Sequence, residues 1–141
     1  MAQQRPAGTR IVTLNGGPRD GQQHQMAADF HRDTQFLGTR TYDPDTDLRA
    51  IEILTYRESA GDPNVYEWKP WPACGLVRFV GGPNNGLTMQ HLITDDGPLW
   101  IEQHTDYPQI ECALYMKEPD DAVYSYVRTE TFTIGAKRKG L

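Results

Sequence analysis

Cysteine and serine are nearly missing from this chain, and long apolar runs are missing altogether. Cys74 and Cys112 are the only thiols, and Ser59 and Ser125 the only serines, among 141 residues. With no Cys-x-x-Cys, neither a redox dithiol nor a zinc knuckle is spelled out, and two free buried thiols in a reducing compartment are expected. Neither serine lies in Gly-x-Ser-x-Gly, the turn that presents a hydrolase nucleophile. No apolar stretch approaches the roughly 20 residues that span a bilayer. The opening "MAQQRPAGTR" lacks the apolar centre of a secretion signal. Only 38% of residues are apolar, so three Trp, seven Tyr and four Phe must supply much of the buried area.

Positive charge is scarce in the body and concentrated at the ends. Arg5 and Arg10, with Lys137, Arg138 and Lys139, give the two ends +5; the whole chain is −5, so the residues between carry −10. A nucleic-acid face must neutralise phosphates, so an acidic body argues against such a face there. Two readings of the ends stand: solvated tails that keep the protein in solution, and a contact with nucleic acid or an acidic neighbour.

What the chain does have is one phrase written twice. "IVTLNGGPRDGQQHQM" begins at Ile11 and "LVRFVGGPNNGLTMQH" at Leu76. Gly16, Gly17, Pro18 and Gly21 align with Gly81, Gly82, Pro83 and Gly86. Further on, Tyr56 aligns with Tyr115, Val65 with Val123, Tyr66 with Tyr124 and Trp68 with Tyr126. The sequence thus divides into a basic tail (1–9), a first β repeat (10–69), a Pro/Trp linker (70–74), a second repeat (75–134) and a basic tail (135–141). About 60 residues are too few for a comfortable separate core, so the halves are expected to pack together about a pseudo-two-fold axis.

The fold class expected is mainly β, built of hairpins and small antiparallel sheets. "RIVTL" and "LVRFV" are β-branched and aromatic runs ending near Gly-Gly. In "AVYSYVRTETFTI" strict alternation puts Tyr124, Tyr126, Arg128, Glu130, Phe132 and Ile134 on one face. At most one short helix is expected, within 21–38, capped by Asp29 or Asp33. A phosphate cradle would need a helix directly after the glycines, whereas "QQHQM" and "LTMQH" look like returning strands. Proline presets φ, glycine accepts positive φ, and Asp or Asn bonds the local backbone. Gly-Gly-Pro-x-x-Gly therefore predicts a hairpin turn, the Gly pair permitting a bulge or a close backbone approach.

This hairpin, followed by a Tyr strand and a Val-Tyr strand, resembles a family of small uncharacterised proteins encoded by actinobacterial tailed phages and their hosts. Their motif is often Gly-Gly-Pro-x-Asp-Gly. "GGPRDG" matches it, and the second copy departs with Asn85 where Asp is usual. The resemblance covers most of the chain and carries over no catalytic residue. It implies a context: phage, and a place in the virion or otherwise the cytoplasm of the infected host cell.

No other constellation gathers. His24, His31, His91 and His104 have no metal-ligand spacing. Asp43, Asp45 and Asp47 have the alternation of a calcium loop but lack its later Gly and Glu, so a solvated acidic turn is expected. No metal or cofactor is expected. Trp68 is expected in a core; Trp71, Trp100 and Tyr107 are interface candidates, with Arg5, Arg10, Lys137, Arg138 and Lys139 laid along acidic neighbours. These features favour a non-enzymatic phage structural protein, a minor capsid, decoration or head–tail accessory, that is oligomeric or lattice-bound to capsid or tail proteins. The alternative is a phage accessory protein that sequesters a small ligand or host defence factor.

Overall fold

Ten strands and one turn of 3-10 helix follow one another along residues 8–136, which the computed structural model describes. By connectivity they belong to two compact units, Met1–Phe36 with Ile53–Pro70, and Leu37–Glu52 with Trp71–Leu141. The chain thus changes unit at the expected linker, and also inside the third and fourth strands.

The first unit contains β1 (Thr9–Asn15), β2 (Gln23–Ala27), β5 (Val65–Lys69), the start of β3 (Thr34–Asp43) and the end of β4 (Leu48–Glu58). Its strand order is β2-β1-β5-β4. The β1–β2 hairpin is antiparallel, with Thr13 opposite Gln23. β1 and β5 run parallel, Leu14 opposite Tyr66, so the sheet is mixed rather than wholly antiparallel. Val12, Leu14, Leu54, Tyr56 and Tyr66 form its core, with Met26, Phe36 and Trp68 packed against them.

The second unit holds the rest of β3 and β4, with β6 (Cys74–Val80), β7 (Thr88–Leu92), β8 (Leu99–Asp106), β9 (Gln109–Lys117) and β10 (Val123–Thr133). Its order is β3-β8-β9-β10-β6-β7. Here β6 and β10 are the parallel pair, Phe79 opposite Tyr124. One core cluster gathers Phe79, Ile101, Ala113, Tyr115 and Tyr124. Another gathers Tyr42, Ile110 and Cys112, with Trp100 and Phe132 against them. Adjacent Cys112 and Ala113 belong to different clusters, so the middle of β9, Cys112 to Tyr115, is buried on both faces.

Two expectations are corrected. No helix forms within 21–38: Gln23–Ala27 pairs with β1, and Thr34 opens β3. Met26 and Phe36 reach the core from strands, and Asp33 pairs with Arg57 at 3.5 Å instead of capping. The 3-10 turn is Gly82–Asn84, in the second Gly-Gly-Pro loop. Nor does β10 keep one alternation. Its register with β9 shifts between Tyr126 and Arg128, and the extra residue, Val127, is a bulge that reverses which side each later residue faces. Tyr124 and Tyr126 share a side; Arg128, Glu130 and Phe132 take the opposite one.

Candidate functional site

The two Gly-Gly-Pro loops are hairpin turns clamped from below by tyrosine. Tyr56 Oη donates to Gly16 O (2.8 Å) and accepts from Arg19 N–H (3.0 Å). Tyr115 Oη donates to Gly81 O (2.7 Å) and accepts from Asn84 N–H (2.9 Å). The loop closes from Gly21 N–H to Leu14 O at 2.7 Å, and from Gly86 N–H to Phe79 O at 2.9 Å. Asp20 Oδ1 accepts from Gly16 N–H (2.6 Å), and Asn85 Oδ1 from Gly81 N–H (2.8 Å). The departure at Asn85 therefore keeps the bond, because an amide oxygen accepts as a carboxylate does. Gly16, Gly17, Gly21, Gly81, Gly82 and Gly86 all have positive φ, with Pro18 and Pro83 following the pairs.

The clamp predicts its own mutants. Tyr56→Phe and Tyr115→Phe each leave a loop carbonyl and a loop N–H without their shared partner, and each is expected to cost about 1–3 kcal/mol. Chemical denaturation measures this. Asn85→Asp is expected to fall within about 0.5 kcal/mol of the parent, and Asn85→Ala to cost about 1 kcal/mol.

Sequence reading missed Glu52, in the second unit. Its side chain is the one buried carboxylate of β4, with the residue 3% exposed. Oε1 accepts from Thr39 N–H of β3 at 2.9 Å, and Oε2 from Gln90 N–H of β7 at 2.6 Å. Gln90 Oε1 in turn accepts from Trp71 N–H at 3.1 Å. β7 ends the strand order of its unit, so its outward N–H would otherwise be an open edge. Gly38 makes the clip possible, since a Cβ there would lie 2.3 Å from Glu52 Oε1. The available signal was the alternation Glu52, Leu54, Tyr56, which puts a carboxylate in a core-facing register.

Beside this clip, along β7, lies a cavity of about 450 Å³. Met89, Leu92, Leu99, Trp71 and Pro72 make it largely apolar, and Glu52 and Asp95 give it two carboxylates. Burial pushes the Glu52 carboxyl above the usual range, against the pull of the Thr39 and Gln90 N–H groups. Cys74, also on the wall, has its thiol pushed up by burial and then by the Glu52 charge, so it is held as the unreactive thiol. His91 stacks edge-on against Tyr124 at 5.8 Å, and its Nε2 is 3.5 Å from Asp95 Oδ2, too long to count as a hydrogen bond. This arrangement offers a buried acceptor in an apolar chamber, not an activated nucleophile.

The other candidates are dispersed. Trp71 is 40% exposed at the cavity, whereas Trp100 packs edge-on against Phe132 at 4.8 Å with Arg128 over it. Tyr107 is 73% exposed in the β8–β9 turn. Arg10 does not project as a free cation: it bonds Pro63 O, Phe30 O, Glu58 (3.3 Å) and Tyr66 Oη (3.3 Å) inside the first unit. Arg5, Lys137, Arg138 and Lys139 lie outside the described residues. Trp68 packs on Gly17. Asp47 is buried, accepting from Tyr42 Oη (2.7 Å) and Gly135 N–H (2.8 Å); Asp43 accepts from Asp45 N–H at 2.9 Å. This acidic turn is held by hydrogen bonds. The described residues contain no group of three or more potential metal ligands. His24 stacks on Phe36 at 4.7 Å, and His31 bonds Glu58 at 2.6 Å.

No family model, curated protein or solved structure matches this chain.

Proposed function

We propose that the chain is a non-enzymatic structural protein of a phage particle, a capsid, decoration or head–tail accessory that docks onto a protein lattice. The observation that carries this reading is an exposed apolar row on one sheet face of the second unit. Leu92 stands opposite Cys74 across β7–β6; Leu76 and Val80 share one side of β6 with the exposed Arg78 between them; Met116 faces Ser125, which itself neighbours Val80. By pleat these side chains share a face, and Leu76, Val80, Leu92 and Met116 are all exposed. Exposed apolar residues clustered around an arginine are the composition of protein contact surfaces. The phage context comes from the Gly-Gly-Pro-x-Asp-Gly resemblance, which also supports a location in the virion or the infected host's cytoplasm as part of this reading.

We also read the two units as copies of one ancestral β element. In support, the Tyr clamp, the Asp or Asn lock and the parallel strand pair each occur in both, residue for aligned residue.

Mass spectrometry of purified particles tests the docking role. The protein is expected in stoichiometric amount, and Val80→Asp, at an exposed site, is expected to abolish incorporation while leaving the fold intact. Absence of the parent protein from particles sinks the reading. A second reading, a phage accessory protein that sequesters a small ligand, is favoured by one observation, the cavity beside Glu52.

A further inference from the structure

We propose that the cavity beside Glu52 is a binding site for a small organic cation with an apolar body, such as an aralkylamine. The inference rests on the ligand-binding reading and names the ligand class. Its volume, about 450 Å³, is within the range of small-molecule sites. Its walls carry two carboxylates and one histidine, His91, and, among the described residues, no Lys or Arg. Glu52 is the deeper acid, and no ion pair engages it among the described residues. Burying a charge without a counter-charge is unfavourable, and a ligand ammonium supplies that counter-charge.

The geometry leaves room for it. Each Glu52 oxygen accepts one backbone N–H. The Thr39 side chain also hydrogen-bonds this carboxylate; a carboxylate has about four acceptor positions, so one remains for a ligand. Trp71, 40% exposed on the same wall, offers an indole face to a cation. Met89, Leu92 and Leu99 cover an apolar body. Asp95, half-exposed and 3.5 Å from His91 Nε2, is the second carboxylate at the same chamber. An anion meets two carboxylates there, and a neutral alcohol gains only the apolar contacts.

Thermal unfolding of the full chain with phenethylamine, phenethyl alcohol and hydrocinnamate tests this. The amine is expected to raise the melting temperature by about 3 °C or more near saturation, rising with concentration, and the other two to give little shift. Glu52→Gln is expected to weaken amine binding about tenfold or more. If that variant does not fold, Trp71→Ala provides the second arm: its backbone N–H still reaches Gln90, and amine binding is expected to weaken about threefold. Equal shifts with alcohol and amine would overturn the cation class while leaving a ligand site. No shift with any of the three would overturn the site itself.

Discussion

Gly17→Ala is expected to destabilise the protein by about 3 kcal/mol or more, and to lower its melting temperature by about 10 °C. Two costs combine. Gly17 has φ of 68°, where a side chain costs about 1–2 kcal/mol. A Cβ there would also lie 2.4 Å from Trp68 Cγ and 2.6 Å from Cδ2, deep inside the indole. Gly17 is buried and Trp68 is packed against the first unit's core, so relief requires moving a large ring. Gly82→Ala meets the same φ penalty at 63° and a Tyr126 carbon at 2.4 Å. Gly82 is exposed, however, and Tyr126 is more open than Trp68. The ring can swing outward, and a smaller loss of about 2 kcal/mol is expected. Equilibrium denaturation of both variants gives the comparison. Equal losses, or a Gly17 loss below about 1 kcal/mol, would mean that close packing on Trp68 is not what the second glycine provides.

The same pair shows how far the sequence could be read. Gly-Gly-Pro followed by two polar residues and a Gly indicates a turn, because proline and glycine fix φ locally, and local chemistry does not depend on the rest of the fold. The strands flanking it were legible for a similar reason: Val12 with Leu14, and Val77 with Phe79, alternate into a core. The aligned Tyr56 and Tyr115 were visible as a pair, but their hydroxyl contacts join residues 31 to 40 positions apart. Spacing alone carries no such information. The parallel pairing of β1 with β5 was hidden likewise, since parallel pairing is set by a long crossover. Val127 shows the limit at short range. Alternation is a rule for an unbroken ladder, and nothing in Tyr-Val-Arg marks the extra residue that reverses it.

The alternation of Glu52 with Leu54 and Tyr56 was legible, but its partners Thr39 and Gln90 sit on two other strands far along the chain, and the consequence of its burial is a pH dependence. Its folded carboxyl titrates above its ordinary value of 4.5, chiefly through burial. A raised acid pKa means the unfolded chain releases this proton first. Stability from Glu52 is therefore fully present below the ordinary glutamate range and is lost as pH rises through the folded pKa. Glu58 works in the opposite direction. Its hydrogen bond from His31, aided by the charges of His31 and Arg10, lowers its pKa, so its contribution is lost as pH falls. The pair predicts a maximum in stability in mildly acidic solution. Glu52→Gln removes the alkaline limb: the stability difference between variant and parent is expected to shift towards the variant as pH rises from about 4 to 7. Glu52→Ala behaves otherwise, leaving the Thr39 and Gln90 N–H groups without their acceptor, and is expected to cost about 3 kcal/mol across the range. Urea titrations at a series of pH values separate the three proteins. Parallel curves for parent and Gln variant would mean that the Glu52 proton is bound no more tightly in the folded chain than in the unfolded one, leaving the carboxylate a clip without a titration.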